Sequence, residues 1–148
     1  MKKYRIGFTD GTFDLFHVGH LNLIKNAKRM CDFLIVGVHS DEIVESYKHR
    51  KTIISQEDRR TIVAAIKGVN KAVINQTRDK LELWKMYHFD VIFIGDDWKG
   101  TERWNNFEKM LAKVGVSVEY IPYTHRISTT MIRNSLDEAS QTKDKTNK

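Results

Sequence analysis

The hydrophobic positions along this chain fall into short runs separated by longer, mixed segments. Residues 32–39 and 89–95 are apolar at most positions over the length of a strand. Runs of this kind are typical of strands buried on both faces of a parallel sheet. Three further runs also predict strands, at residues 4–8, 69–74 and 116–121.

In the segments between these runs, apolar residues recur every three or four positions, as on one face of a helix. Ser55, with Asp58 three residues on, resembles a capping box at a helix start, and Gly68 is expected to end that helix. Met86 is expected to face partly inward. Together the signals predict helices at residues 21–30, 59–66, 79–87, 104–114 and 127–136.

The strand and helix signals alternate five times, which predicts a doubly wound, Rossmann-like α/β domain with a mainly parallel five-stranded sheet. A chain of 148 residues suits a single domain, which we place at residues 1–137. The polar residues 138–148 are predicted to form a disordered tail. Residues 40–55 are mostly polar, and the length of this stretch indicates a functional loop.

Composition narrows the class of protein. Hydrophobic residues make up 41% and charged residues 30% of the chain, as in ordinary globular proteins, and no apolar run approaches the about 20 residues of a membrane span. The first residues are charged and lead directly into a strand, without the features of a signal peptide. The lone Cys31 allows no internal disulfide and suits a reducing compartment. We therefore expect a cytoplasmic protein without a membrane partner.

The net charge of +6 has two interpretations. The basic residues either solvate the surface or serve an anionic partner. Part of the excess is clustered at residues 48–51, with Arg59 and Arg60 a little further on. No helix-turn-helix, zinc-finger or RNA-recognition pattern is present, so we expect no nucleic-acid partner. A polyphosphate substrate explains a local cluster better.

The stretch Gly11-Thr-Phe-Asp-Leu-Phe-His-Val-Gly-His20 joins the first strand to the first helix. A helix start offers unpaired N–H groups and a partial positive charge, both suited to phosphate. His17 and His20 are three residues apart, so they share one face of the first turn and can both donate to phosphate oxygens. Gly19, unfavourable in a helix by about 1 kcal/mol, indicates a ligand close to the backbone. Two alternatives stay open: a histidine pair that only caps the helix, and a metal site, for which no obvious third ligand is present.

Two other strand–helix junctions carry polar residues. Gly95-Asp-Asp-Trp98 follows a strand, and residues 128–130, Ser-Thr-Thr, open the last helix, where one of them is expected to act as N-cap. Hydroxyls at a helix start form a second phosphate cradle, although capping alone would also explain them. The basic candidates to neutralise phosphate charge are Lys48, Arg50 and Arg59.

These motifs, in this order, resemble the cytidylyltransferase family. The similarity runs from residue 4 to about residue 136. The His-x-Gly-His motif is shared with class I aminoacyl-tRNA synthetases, but those are far longer and carry a Lys-Met-Ser-Lys-Ser motif that this chain lacks. The matching stretches are Gly11–Asp14, His17–His20, Arg59, Gly95–Trp98 and Ile127–Thr130.

The resemblance implies that the protein is an enzyme, a nucleotidyltransferase. In the implied reaction, a small phosphate monoester attacks the α-phosphorus of CTP, and pyrophosphate is released. The acceptor that the resemblance favours is sn-glycerol 3-phosphate. The resemblance also implies Mg²⁺ with CTP, a homodimer, and CDP-glycerol for a cell-surface polymer such as teichoic acid or a capsule. By the same resemblance, the residues acting on the reacting phosphates are His17, His20, Lys48 and Arg59; Arg126 joins this group as the candidate to replace a family arginine that this chain lacks. Those expected to bind the nucleotide are Gly11, Thr12, Phe13, Gly19, Gly95, Asp96, Asp97, Trp98, Thr124, Ile127, Ser128, Thr129 and Thr130. Those expected to bind the acceptor are Asp14, Lys48, Arg50 and Arg59, and no metal ligand from the protein is expected.

One segment departs from the family pattern. Where the family has an arginine and a glycine before Ile-Ser-Thr-Thr, this chain has Tyr123 and Arg126. Arg126 is the candidate to replace the missing charge; without a replacement the enzyme would be slower or would take a different acceptor. Two alternatives follow. One is a nucleotidyltransferase that uses ATP or another acceptor, such as phosphoethanolamine, another polyol phosphate or a sugar phosphate. The other is a nucleotide-binding module without turnover.

Overall fold

The computed structural model describes residues 2–122 and 127–146, with side chains described as far as Ser140. Strands and helices alternate along it. The strands are β1 (Tyr4–Gly11), β2 (Cys31–His39), β3 (Lys71–Asn75), β4 (Val91–Gly95) and β5 (Ser117–Ile121). The helices are α1 (Val18–Met30), α2 (Asp41–Lys48), α3 (Gln56–Ala64), α4 (Lys80–Tyr87), α5 (Glu102–Ala112) and α6 (Thr129–Thr146), and a short 3₁₀ turn spans Asp96–Trp98.

The five strands form one sheet in the order β3-β2-β1-β4-β5. Each neighbouring pair is parallel, so the carboxyl ends of all five strands lie at the same edge. The strand order reverses between β1 and β4, and open α/β sheets bind ligands in the crevice at such a switch point. The predicted doubly wound α/β fold is confirmed.

Hydrophobic side chains fill both faces of the sheet. On one face, covered by α1 and α3, Phe93 lies in a buried cluster with Ile24. On the other face, covered by α4 and α5, Ile92 lies in a second cluster with Leu83 and Leu111. Adjacent residues of a strand point to opposite faces. Burial on both faces therefore explains why the central strands are apolar at most positions.

The prediction of a loop over residues 40–55 is wrong for its first half, which forms helix α2. Ser40 is the N-cap, and its Oγ accepts a hydrogen bond from the Ile43 N–H (3.2 Å). Acidic residues follow in the first turn, and His49 ends the helix in a left-handed conformation (φ 57°). The buried residue of α2 is Val44, so its apolar face is too short to stand out in the sequence pattern.

Two details of the other helices complete the comparison. Ser55 caps α3 as predicted, with its Oγ accepting from the Asp58 N–H (3.3 Å). The helix ends before Gly68, which turns the chain at φ 101°. In α4, Met86 is 54% exposed instead of inward, and Leu83 takes the buried position.

Helix α6 extends beyond its predicted end near residue 136, as far as Thr146. No glycine or proline interrupts residues 137–146, so nothing in the sequence stops the helix there. The prediction of a disordered tail is therefore wrong as far as Thr146, whereas the domain boundary at residue 137 stays a prediction. Although α6 is long, neither it nor any other helix in the described ranges is apolar enough to cross a bilayer.

Candidate active site

The three strand–helix junctions singled out in the sequence meet at the carboxyl edge of the sheet. They surround a cavity of about 440 Å³, which we call the first cavity. The predicted site residues that line it are His17, Gly19, His20, Lys48, Arg50, Gly95, Asp97, Trp98, Ile127, Ser128, Thr129 and Thr130. The fold thus brings together the His-x-Gly-His turn, the end of β4 and the start of α6.

The histidine pair lies at the start of α1, on the wall of the first cavity. His17 is the N-cap, and its Nδ1 accepts a hydrogen bond from the Gly19 N–H (3.0 Å). The Nδ1 of His20 accepts from the His17 N–H (3.3 Å). The capping interpretation is therefore correct, but capping uses one nitrogen of each ring. In a neutral imidazole the other nitrogen then carries the proton, so each histidine keeps an Nε2–H donor.

Both imidazoles are neutral at pH 7. Burial lowers the pKa of His17. Burial, followed by the neighbouring His17 and Lys48, lowers the pKa of His20 to about 3. The two ring centroids lie 3.9 Å apart in a stacked arrangement, so a positive charge on one ring would oppose a charge on the other. The pair therefore offers two neutral hydrogen-bond donors rather than two cations.

We expect the free energy of unfolding to fall as the pH drops below 6.5. His20 has its ordinary pKa of about 6.5 in the unfolded chain and a pKa of about 3 in the folded chain. Between these values the unfolded state binds the extra proton, so acid favours unfolding, by about 2 kcal/mol at pH 5 from His20 alone. Urea denaturation at pH 7 and pH 5 measures the loss. The variant His20→Asn should lose less stability between the two pH values, and a loss equal to wild type would contradict the low pKa.

Gly19 is explained by the turn in which it lies. A Cβ at this position would lie 2.8 Å from Cε1 and 3.0 Å from Nδ1 of His17, so it would displace the capping imidazole. The next neighbour is the carbonyl oxygen of Ile127, at 3.7 Å. The missing side chain therefore accommodates the His17 cap, and a ligand against the backbone is not needed to explain it.

The start of α6 forms the opposite wall of the first cavity. Ser128 caps this helix, because its Oγ accepts from the Met131 N–H (3.1 Å). The Thr129 hydroxyl donates to the carbonyl oxygen of Asp14 (2.8 Å), so it is committed to the fold. The N–H groups of Thr129 and Thr130 belong to the first turn of α6. The N–H groups of a first turn have no hydrogen-bond partners within the helix, and they carry partial positive charge. The anion-binding groups here are therefore backbone N–H groups more than hydroxyls.

Asp14 does not line the first cavity, contrary to its predicted role in acceptor binding. Its side chain is 3% exposed and accepts hydrogen bonds from the N–H groups of Ile53 (2.8 Å) and Ile54 (2.9 Å). It also accepts one from Nη2 of Arg133 (2.9 Å). Burial alone would raise the pKa of Asp14, but these donors hold it below its usual value. Asp14 therefore ties the motif to residues 53–54 and to α6 instead of facing a substrate.

Arg59 is fully buried, which corrects its predicted contact with phosphate. Its Nη1 donates to the carbonyl oxygens of Thr12 (2.6 Å) and His39 (2.8 Å). Its Nε donates to the carbonyl of Ile54 (2.9 Å), and its Nη2 to Oδ1 of Asp41 (2.6 Å). All three nitrogens are engaged, so Arg59 holds the turn at Thr12 against β2, α2 and α3.

Phe13 and Asp96, both predicted to bind nucleotide, lie behind and beside the first cavity. Phe13 is 3% exposed, with a left-handed backbone (φ 56°). Its ring centroid lies 5.2 Å from that of His20, so it supports the imidazole from behind. Asp96 begins the 3₁₀ turn next to the lining residue Asp97.

Residues 123–126 lie outside the described residues. This segment holds the departure from the family pattern, Tyr123 and Arg126. The nucleotide-binding role of Thr124 and the catalytic role of Arg126 therefore stay predictions.

A second cavity, of about 330 Å³, adjoins the first and was not predicted as a whole. Its wall includes a buried cluster in which Oδ2 of Asp10 lies 2.7 Å from Nζ of Lys80 and 3.1 Å from Nε2 of His39. Asp10 and His39 are polar residues at the carboxyl ends of otherwise buried strands, which is the sequence signal that could have found them. Residues shared by the two cavities are Lys48, Ile94 and Trp98, and predicted residues that line the second alone are Gly11 and Thr12.

Comparison with known proteins identifies the family to which this geometry belongs. A family model described as cytidylyltransferase-like matches residues 8–135. The chain belongs to the cytidylyltransferase-like family. A curated relative, the glycerol-3-phosphate cytidylyltransferase of Bacillus spizizenii, is 38% identical to this cytidylyltransferase-like protein over 129 residues, which cover 86% of this chain and 94% of the relative.

Two solved structures have folds similar to that of this cytidylyltransferase-like protein. A lipopolysaccharide core biosynthesis protein from Thermoplasma volcanium matches with a TM-score of 0.69 and 23% identity, covering 82% of this chain and 97% of that one. Pantothenate synthetase from Thermus thermophilus matches with a TM-score of 0.57 and 14% identity, covering 82% of this chain and 57% of that one. At these identities the likeness shows a shared fold alone.

Proposed function

We propose that this protein transfers CMP from CTP to sn-glycerol 3-phosphate, giving CDP-glycerol and pyrophosphate. The observation that carries the proposal is the histidine pair: its caps use both Nδ1 atoms and leave two Nε2–H donors in a cavity faced by a second helix start. The glycerol-3-phosphate cytidylyltransferase that is 38% identical supports the choice of substrates.

The first cavity suits a nucleoside triphosphate. The N–H groups at the start of α6 would hold the β- and γ-phosphates. His17 and His20 would donate to the α-phosphate oxygens, where negative charge increases during the reaction. The segment Gly95–Trp98 would border the cytosine and ribose, and the 42% exposed side chain of Trp98 offers an aromatic face for them.

The reaction needs positioning more than proton transfer. An oxygen of the acceptor's phosphate attacks the α-phosphorus in line, and the bond between that phosphorus and the pyrophosphate oxygen breaks. A phosphate monoester is already an anion at neutral pH, so its oxygen needs no general base. Neutral histidines fit this requirement, because they stabilise charge by hydrogen bonds. Lys48, which lines both cavities, would add positive charge where the two substrates meet.

Mg²⁺ would arrive with CTP. In the part of the chain that the structure describes, no three His, Cys, Asp or Glu side chains are grouped so that they could hold a metal ion. The carboxylate of Asp14, inside the motif, already accepts three hydrogen bonds from protein groups. A triphosphate offers the oxygen ligands that Mg²⁺ prefers. We therefore propose that the ion neutralises the triphosphate as part of the substrate.

The proposal extends to the cellular setting that the family resemblance implies. The protein would act as a homodimer in the cytoplasm and supply CDP-glycerol for a cell-surface polymer such as teichoic acid or a capsule. Exposed apolar side chains on α6, Met131 (48%) and Leu136 (57%), provide surface that a second copy could cover. The free, buried thiol of Cys31 suits a reducing compartment.

Pyrophosphate release tests the proposed reaction. With CTP, Mg²⁺ and glycerol 3-phosphate together we expect release, and CDP-glycerol as the product by mass spectrometry. Omitting any of the three should abolish it. Parallel reactions replace CTP by ATP, and glycerol 3-phosphate by phosphoethanolamine, another polyol phosphate or a sugar phosphate.

Each of the other outcomes selects a different function. Release with another acceptor alone would reject glycerol 3-phosphate as the substrate. Binding of CTP without release for any acceptor would favour the nucleotide-binding module without turnover.

A further inference from the structure

The second cavity carries more positive charge than its own carboxylate can neutralise. It is lined by one acidic side chain, Asp10, and by four basic ones, Lys48, Lys80, Arg78 and Arg103. It also contains two tryptophans, Trp98 and Trp104. A space of this composition suits a small anionic molecule.

Asp10 is neutralised within the wall of this cavity. Lys80 and Asp10 form a salt bridge (2.7 Å) whose side chains are 5% and 2% exposed. Burial would raise the pKa of Asp10, but Lys80 and His39 hold it far below its usual value. Burial lowers the pKa of His39, so that ring is neutral. The buried cluster has no net charge, and three cations of the cavity are left.

A chain of hydrogen bonds fixes the tyrosine on which one of these cations rests. The Tyr47 hydroxyl lies 3.0 Å from Nδ1 of His39 and 3.0 Å from Oγ1 of Thr12. Because the Nε2–H of the neutral His39 donates to Asp10, its Nδ1 accepts from Tyr47, and the tyrosine oxygen can then accept from Thr12. The ring of Tyr47 is thereby held in place, and the guanidinium carbon of Arg78 lies 3.7 Å from its centroid.

Arg78 and Arg103 are not directly paired with a carboxylate in the described residues. Neither takes part in a salt bridge there. Both guanidinium groups line the same cavity. Burial, followed by the charge of Arg103, lowers the pKa of Arg78, although Tyr47 and Asp10 act in the opposite direction. Two like charges therefore line one small cavity. An anion that binds between the two guanidinium groups would stabilise both.

The position of this cavity matches the second substrate of the proposed reaction. It shares with the first cavity Lys48, the residue proposed to act where the two substrates meet, so a molecule near Lys48 lies next to the phosphates of a nucleotide in the first cavity. In-line attack requires the acceptor's phosphate at such a junction. Of the basic residues that the sequence offered for this task besides Lys48, Arg59 is buried with all its nitrogens engaged, and Arg50 lines the first cavity but not the second.

We propose that Arg78 and Arg103, together with Lys48, bind the phosphate group of the acceptor in the second cavity. The inference rests on the proposed function, whose acceptor is a phosphate monoester. Arg78 and Arg103 determine the affinity for this substrate and leave that for CTP unchanged. The hydroxyls of Thr12 and Tyr47 lie where the polyol part of the acceptor can hydrogen-bond to them.

The variants Arg78→Gln and Arg103→Gln test this subsite. Each should raise the KM for glycerol 3-phosphate about 10- to 100-fold, the effect of removing one charge-assisted hydrogen bond, and leave the KM for CTP within about twofold. Arg103 is exposed at the start of α5, so its variant keeps the fold. Arg29→Gln is the matched control, because it removes the same charge from the last turn of α1, at the opposite edge of the sheet, and should change neither KM.

A binding measurement separates this inference from the proposed reaction. Trp98 and Trp104 line the cavity, so tryptophan fluorescence can be titrated with glycerol 3-phosphate, or with inorganic phosphate, in the presence of CMP, which has no pyrophosphate to lose. We expect a saturable change in wild type and in Arg29→Gln that is weakened at least tenfold in both arginine variants.

The results distinguish failure of the proposed subsite from failure of the proposed reaction. If wild type turns over and both arginine variants keep its KM for the acceptor, the subsite is wrong and the reaction stands. If wild type releases no pyrophosphate with any acceptor, the proposed reaction fails, and the titration alone decides the subsite. A phosphate-dependent change lost in the arginine variants supports it; a change that persists in them, or is absent from wild type, overturns it.

Discussion

Replacing His20 by asparagine will reduce kcat about 10²- to 10³-fold, the usual effect of removing one donor to the developing charge. The Oδ1 of asparagine can take the place of the imidazole Nδ1, so the hydrogen bond from the His17 N–H at the helix start is kept. The Nε2–H donor, in contrast, is lost. The measurement is pyrophosphate release at saturating CTP and glycerol 3-phosphate, with circular dichroism to show that α1 is intact.

Two further variants sharpen this result. His20→Gln places an amide N–H near the position of the lost Nε2–H and should recover part of the rate. His88→Asn is the control, because His88 is exposed in a left-handed turn after α4 (φ 49°) that asparagine tolerates, and should match wild type. A kcat for His20→Asn within about tenfold of wild type would show that the Nε2–H of His20 does not act on the reacting phosphate.

Replacing Arg59 by alanine will lower the free energy of unfolding by about 3–5 kcal/mol. The substitution removes four hydrogen bonds. It leaves one buried and two partly buried carbonyl oxygens without these donors and creates a cavity, and both effects are costly. Asp41 contributes less to this loss, because its side chain is 46% exposed and can be hydrated. Urea denaturation followed by circular dichroism measures the change.

The same variant decides between the two roles considered for Arg59. The control is Arg60→Ala. Arg60 is the neighbouring residue on α3 and is half-buried, so its replacement should change the free energy of unfolding by no more than about 0.5 kcal/mol. Arg59→Lys retains the charge but has fewer donors, so it should recover part of the stability. If Arg59→Ala keeps the wild-type stability and loses turnover, Arg59 contacts substrate as the sequence motif predicts, and its structural role is wrong.

The sequence predicted the elements that depend on local signals. The apolar runs gave the strands correctly, and the motif at residues 11–20 was placed correctly between β1 and α1. In a parallel sheet, residues that follow strands gather at one edge. By this rule the sequence predicts that His17, His20, Ser128 and the segment Gly95–Trp98 lie together, and residues of all of them line the first cavity.

Whether a charged side chain faces the cavity or the protein interior could not be predicted from local signals. Asp14 and Arg59 belong to the motifs, and charged residues are by default expected at the surface or in a site. The hydrogen-bond partners of the Asp14 side chain lie 39 to 119 positions away in the sequence. Those of Arg59 lie up to 47 positions away. Lys80 and Asp10 are 70 positions apart. No local pattern records such pairs, so the wall of the second cavity was missed for the same reason.

Asp14 connects two parts of the protein that are far apart in the sequence. It accepts from the N–H groups of Ile53 and Ile54 and from Arg133 of α6, while its backbone carbonyl accepts from Thr129. Residues 53–54 and the start of α6 are thus both held by one residue of the stretch that joins β1 to α1. Local opening of either segment breaks contacts of the other, so the two form one cooperative unit. In consequence, we expect opening of the start of α6, which lines the first cavity, and opening of residues 53–54 to occur together.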